Sequence, residues 1–199
     1  MNERAIPGVG PVLSALVPVS CLQVVTVVGA DAAATTSQVT CWERSDAGGE
    51  WRRVGPAVPG RNGTAGWSTD HHKGEASSPV GVFSLTAAGG RLPDPGTLLP
   101  YEYRPSYYQG GGFGAGLAAD AFDHVIAVDY NRIPGYPPSD PTRPDGEVAG
   151  GDIWLHVGDS PSATGGVALP EAALAAILGW LSPTCRPVIV MGDAATLAA

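Results

Sequence analysis

The sequence predicts a mostly β protein, and three observations lead to this. Glycine (28) and proline (19) are too frequent in 199 residues for a helical bundle. Short β-branched or alternating apolar runs recur along the chain, separated by turn-forming residues. Only one stretch carries helical apolar spacing. Apolar residues make up 44% of the chain and charged residues 15%, which excludes a disordered acidic polymer.

Taken in order, Leu22–Val28 is a β-branched run ending at Gly29, the pattern of a buried strand. Gln38–Arg44 alternates and is expected to pair back on it, and Trp51 opens a third strand after the Asp46–Glu50 turn. Pro79–Leu85 reads as a strand opened by proline. His124–Tyr130 alternates, with Val125, Ala127 and Asp129 on one face and Ile126, Val128 and Tyr130 on the other. Asp152–Val157 and Val188–Met191 complete the set. The helix is expected to begin at Pro170, with Glu171 in its first turn. Its apolar stripe is Leu174, Ile177, Leu178 and Leu181, and Pro183 ends it.

Two long segments have no regular pattern. Tyr101–Phe113 joins tyrosines to a glycine run, and Arg132–Gly151 holds five prolines. Loops of this length in a compact domain usually carry function. The tyrosine-glycine segment is read either as a lid over a cleft or as a cover for a sheet edge.

Charge and cysteine usage narrow the function. The net charge is −8 with no basic tract, which argues against an electrostatic nucleic-acid partner. No apolar run approaches the ~20 residues that span a bilayer. The first twenty residues make a poor signal peptide, because Pro7, Pro11 and Pro18 interrupt them. Three cysteines without a CxxC pair do not make a zinc module or a disulfide scaffold. One pair among Cys21, Cys41 and Cys185 is available for a disulfide in an exported chain, the alternative being three buried thiols.

The four histidines are the main candidates for chemistry. His71 and His72 are adjacent and are expected to face opposite ways. HExxH is absent, so a zinc site would need a scattered set such as Asp70, His72, His124 and His156. His156 is the most suggestive. It lies in a strand ahead of a small-residue turn, Ser160–Gly166, that leads towards the helix. Backbone N–H groups in such a turn can converge on a developing oxyanion, and a histidine beside it can act as base. The competing reading is a half-buried, hydrogen-bonded histidine beside an ordinary tight turn.

Three stretches bear on this choice: HHKGEASSPVGVFSL (His71–Leu85), FDHVIAVDYNR (Phe122–Arg132) and IWLHVGDSPSATGGVALPEAALAAILGWLSPTCRPVIVMG (Ile153–Gly192). Together with LQVVTVVG, QVTCWER and RNGTAGWSTD, they resemble the L,D-transpeptidase (YkuD) family, particularly its secreted actinobacterial members. The resemblance spans residues 20–195, with 1–19 as an N-terminal arm and 196–199 as a tail. It implies a two-sheet sandwich with one helix after the active-site turn, and an extracytoplasmic location at the cell wall. It also implies acyl transfer on peptidoglycan tetrapeptide stems through a cysteine thioester, with carbapenem-type β-lactams as alternative acyl donors and no cofactor or metal.

The family motif, Ser/Thr-His-Gly-Cys followed by an apolar residue, falls on Ala163-Thr164-Gly165-Gly166 followed by Val167. The resemblance makes His156 the base and assigns the oxyanion-binding amides to Gly165 and Gly166. Thr164 stands where the motif has histidine. His72, Ser78 and Tyr130 are further candidates to line the cleft. Gly166 occupies the cysteine position, and glycine has no side chain with which to attack a carbonyl. Replacement by Cys185, Cys21, Cys41 or a turn hydroxyl (Ser160, Ser162, Thr164) is not expected, because a hydroxyl needs a formed triad. The sequence therefore supports two functions: a transpeptidase-type protein inactive as written, or a non-catalytic module that binds cell-wall peptides.

Overall fold

The computed structural model describes residues 5–106, 120–160 and 165–199. In chain order the elements are α1 (Pro11–Ser14), β1 (Gln23–Gly29), β2 (Thr36–Glu43), β3 (Arg52–Arg61), β4 (Trp67–Ser68), β5 (Ser78–Pro79), β6 (Gly81–Ser84), β7 (Ala87–Gly90) and β8 (Tyr101–Tyr103). They continue with β9 (Val125–Ala127), β10 (Trp154–Val157), β11 (Val167–Leu169), α2 (Glu171–Trp180), β12 (Val188–Asp193) and α3 (Ala194–Leu197). The protein is mostly β.

Ten strands form one hydrogen-bonded sheet in the order β6-β12-β1-β2-β3-β11-β10-β9-β7-β8, and β4 and β5 pair separately. The join between β3 and β11 is narrow, a single residue pair, Ala168 with Arg61. The sheet thus consists of two halves of five strands held by one rung. One apolar core lies against both halves. Val25, Val27 and Val39 of the first half meet Ile126, Leu155 and Leu169 of the second, and Leu174, Ile177, Leu178 and Leu181 join them. At about 1.5–3 kcal/mol per buried side chain, this shared core outweighs the single rung in holding the halves together.

Local chemistry explains the elements. β1 lies between β12 and β2 in the sheet and packs one face in each of two apolar clusters, so its sequence is almost continuously β-branched. Its opposite face packs in a second cluster, where Cys21, Val24, Val188 and Val190 meet Ile6, Val9 and Leu197 from the chain ends. The end of α2 is stitched by side chains. Thr97 Oγ1 donates to the Leu178 carbonyl at 2.8 Å, and Gln23 Nε2 donates to the Trp180 carbonyl at 2.8 Å. These are helix-end acceptors that lack partners within the helix. The helix begins one residue later than the sequence suggests: Pro170 is the cap residue and Glu171 the first helical one.

Several short elements go beyond the sequence reading. β7 is Ala-Ala-Gly-Gly, and β4, β8 and β11 are two or three residues long. The expected strand over His124–Tyr130 contracts to Val125–Ala127, yet its two faces alternate as expected. Ile126, Val128 and Tyr130 join the main core, while Val125 and Ala127 pack with Phe122 and Trp154. Residues 107–113, with most of the expected lid, lie outside the described residues.

Arg132–Gly151 contains no strand and only a one-turn 3-10 helix at Glu147–Ala149. Side chains organise it instead. Asn131 Nδ2 donates to the carbonyls of Gly146 (2.9 Å) and Gly150 (2.6 Å), and Arg143 pairs with Asp152. At its start Arg132 pairs with Asp129, both almost fully buried.

Candidate functional site

β10 supplies the first component of the site. Its odd-numbered side chains, Leu155 and Val157, enter the main core. Trp154 and His156 take the other face, beside Phe122. The Phe122 ring meets Trp154 edge-on at 5.5 Å and lies 6.2 Å from the His156 ring, forming an aromatic wall.

His156 is buried, with only 2% of its surface exposed. Its Nδ1 lies 3.0 Å from the Val157 carbonyl oxygen, which can only accept. Nδ1 therefore carries the proton and Nε2 carries a lone pair. Burial holds the imidazole below its ordinary value, against the opposing effect of that carbonyl, so the ring is a neutral base. Among the described residues Nε2 has no hydrogen-bond partner.

The second component is the start of β11, which runs parallel to β10 with Val167 opposite Leu155. That register places Gly166 beside Trp154. A Cβ at Gly166 would lie 3.5 Å from His156 Nε2, 3.2 Å from its Cδ2 and 2.7 Å from the Trp154 carbonyl oxygen. The Cδ2–Nε2 edge of the His156 ring thus lies against the position from which a side chain at 166 would project. Gly165 has φ +80°, and a Cβ there would stand 2.5 Å from the Ser77 carbonyl oxygen, so glycine is required on both conformational and steric grounds.

The third component is a histidine that the sequence reading passed over. His71 is buried, and its Cε1 lies 3.2 Å from the Cβ direction of Gly165. Its Nδ1 is 3.2 Å from Ser77 Oγ, which donates in turn to Glu75 Oε2 at 3.2 Å. Burial lowers the His71 pKa and the Glu75 carboxylate partly opposes this. Two neutral histidines from distant segments therefore flank two consecutive glycines.

The other candidates divide. Tyr130 joins this site as a support: its hydroxyl faces the carbonyls of His71 (2.8 Å) and Ala149 (2.9 Å), and its ring packs edge-on against His71 at 5.5 Å. Ser78 is fully buried. Its Oγ accepts from the Gly63 amide at 2.8 Å and donates to the Gly166 carbonyl at 3.4 Å, so it holds the glycine backbone in place. His72 lies outside the cluster. It is partly exposed, its Nδ1 donates to the Asp70 carbonyl at 2.8 Å, and the carboxylates of Asp70 and Glu75 are its neighbours. The expected alternation of the pair is real, but the inward-facing member is His71. The only signal for this in the sequence was the HH pair itself. Thr164 and Ser162 lie outside the described residues.

The scattered zinc set does not assemble. Among the described residues no three His, Cys, Asp or Glu side chains are placed to share an ion. His124 instead bonds the Tyr101 hydroxyl at 2.9 Å. The cysteines are placed apart from Gly166. Cys41 lines an apolar cavity of about 240 Å³ beside α2 with Val39, Ile177 and Trp180, and burial pushes its thiol up to about 12. Cys21 lies in the second core, and Cys185 ends the 3-10 turn that follows α2.

The two histidines couple stability to pH. Unfolded, each titrates near 6.5, and folded, each titrates lower. Between those values the unfolded chain holds more protons, so stability rises with pH. This contribution is complete above about pH 6.5 and is lost as pH falls through the folded pKa values. Thermal melts from about pH 7 to about pH 5 are expected to show a falling Tm, with a shallower slope in a His71→Gln/His156→Gln variant. A wild-type Tm that is flat across this window, or an unchanged slope in the variant, would contradict the assignment.

No family model, curated protein or solved structure matches the chain. Among the described residues no helix is long and apolar enough to cross a membrane.

Proposed function

We propose that the chain is an L,D-transpeptidase-type protein that binds peptidoglycan stem peptides outside the cytoplasm and does not perform the thioester step. The observation that carries this reading is the His156 lone pair. It is held in one tautomer and buried, on a ring edge that lies against residue 166, where a cysteine would bring a proton donor beside it. A buried acceptor without a donor costs about 1–3 kcal/mol. Such a cost is understandable in a site built around a thiol. The reading treats the two five-stranded halves and their shared core as the two-sheet sandwich of the family.

In this reading the residues divide their roles. Gly165 and Gly166 present backbone amides to the substrate carbonyl, and Ser78 holds the Gly166 carbonyl away from it. His71, supported by Tyr130, closes the other side. Acyl transfer would need a nucleophile whose proton passes to His156 Nε2, with the leaving D-alanine amine protonated from the same nitrogen. Glycine supplies no such atom, so the sequence of steps ends at binding.

The test is calorimetry and intact-mass analysis of the unsubstituted chain with a tetrapeptide stem, and intact mass again with a carbapenem. Saturable binding of the stem with no mass increase from either compound is the expected result. A covalent adduct would show that another group replaces the missing thiol. Absence of stem-peptide binding would remove the cell-wall reading.

A further inference from the structure

We propose that Cys21 and Cys185 are a disulfide-forming pair, closed by thiol–disulfide exchange with a small disulfide oxidant, and that Cys41 stays outside it. The first argument is register. β1 and β12 pair in parallel from Val24 with Val188 to Gly29 with Asp193, without a slip. The ladder itself begins at Val188, because Arg186 is left-handed and Pro187 has no N–H. Ahead of it Cys185 ends the 3-10 turn, and there the Leu22 amide donates to the Cys185 carbonyl at 2.8 Å, so the segment carrying Cys21 and the segment carrying Cys185 stay adjacent.

That hydrogen bond joins the residue after Cys21 directly to Cys185, the close backbone approach that a disulfide needs. On the flank, Arg186 Nη1 donates to Ser20 Oγ at 2.7 Å, so the two segments are bonded on both sides of the cysteines. Burial raises the Cys21 pKa, and the neighbouring Cys185 adds to the rise.

The third cysteine is excluded by its face. Cys41 sits opposite Val25 and packs with the α2 core. Cys21 belongs to the other core, with Val24 and Leu197. The sheet separates them.

Chemically, the partly exposed Cys185 is the attacking group. Its thiolate displaces one thiol from oxidised glutathione, forming a mixed disulfide. Cys21 then attacks the Cys185 sulfur and releases the second glutathione. Two protein thiols are oxidised, one oxidant disulfide is reduced to two thiols, and no other reactant is needed. The product ties β1 to β12 and closes a loop of nearly the whole chain, which restricts the unfolded state most.

The experiment treats the full chain with oxidised glutathione, removes the glutathione, and counts thiols after unfolding. The reduced chain should titrate three thiols. The oxidised monomer should titrate one, be two hydrogens lighter, and yield a crosslinked peptide pair containing Cys21 and Cys185. Its Tm should exceed that of the reduced chain. Cys185→Ser should abolish the crosslink and Cys41→Ser should leave it intact. Three remaining thiols, a crosslink to Cys41, or only linked dimers would overturn the proposal. If Cys185→Ser fails to fold, peptide mapping of the wild-type chain still decides.

Discussion

A Gly166→Cys variant is expected to form a covalent adduct with a carbapenem that the unsubstituted chain does not form. The Cβ of the new residue lies 3.2 Å from His156 Cδ2 and 3.5 Å from Nε2, so the sulfur is placed beside the edge of a neutral ring whose Nε2 is unprotonated. A thiol beside such a base loses its proton readily, and the thiolate is the attacking species. The sulfur attacks the lactam carbonyl, the C–N bond opens, and the ring nitrogen takes the proton, so the adduct weighs the sum of the two. Replacing His156 by Gln in the Gly166→Cys background should slow acylation by roughly 10²–10⁴-fold, the usual contribution of a positioned base.

The substitution also has a structural cost. The same Cβ falls 2.7 Å from the Trp154 carbonyl oxygen, a contact that cannot persist without backbone movement. Overpacking of this kind costs about 1–3 kcal/mol. At roughly 2–4 °C per kcal/mol for a domain of this size, Tm should drop by roughly 2–12 °C. Gly166→Ala should show the same drop without the adduct, which separates strain from chemistry. A folded Gly166→Cys chain that stays inert to carbapenem and stem peptide would mean that residue 166 is not the nucleophile position.

The second large effect lies away from the glycines. Asp129→Ala should destabilise the fold by about 3–5 kcal/mol, because it leaves Arg132 charged and buried. The Asp129 and Arg132 side chains are 1% and 3% exposed. Asp129 also accepts from Ser84 Oγ at 2.6 Å and Thr86 Oγ1 at 2.7 Å, joining β6 and the start of β7 to the end of β9. Arg132 carries the connection onward to the carbonyls of Tyr136 and Pro137. A Tm drop of roughly 6–20 °C is expected by circular dichroism, with faster proteolysis within 132–151. The Asp129→Leu/Arg132→Met pair, which leaves neither charge buried alone, should recover most of it. A Tm loss in Asp129→Ala equivalent to less than about 1 kcal/mol would show that the ion pair does not organise the loop.

How legible each component was follows from the kind of signal it leaves. The β1 run and the Leu174–Leu181 stripe announce themselves, because burial on two faces or on one stripe dictates residue type at every position. His156 was legible because a strand, a small-residue turn and a helix follow one another locally. β7 was not: Ala-Ala-Gly-Gly has no β propensity, and pairing with β8 and β9 makes it a strand. The choice between His71 and His72 was equally closed to inspection. Alternation says that two neighbours part, but which one turns inward depends on Tyr130, Ser77 and Gly165, contributed by other segments.

The sequence by itself determined the mostly β character, the helix and its buried stripe, the alternation around Asp129, and the absence of a side chain at 166. All of these depend on local periodicity or on residue identity. Tertiary structure alone decided that β10 and β11 run parallel, that the His156 ring edge meets the Gly166 position, that His71 is the second histidine, and that the segments carrying Cys21 and Cys185 are hydrogen-bonded neighbours. Each of these depends on register between segments distant in the chain. A one-residue slip would turn every side chain to the opposite face without changing the local pattern.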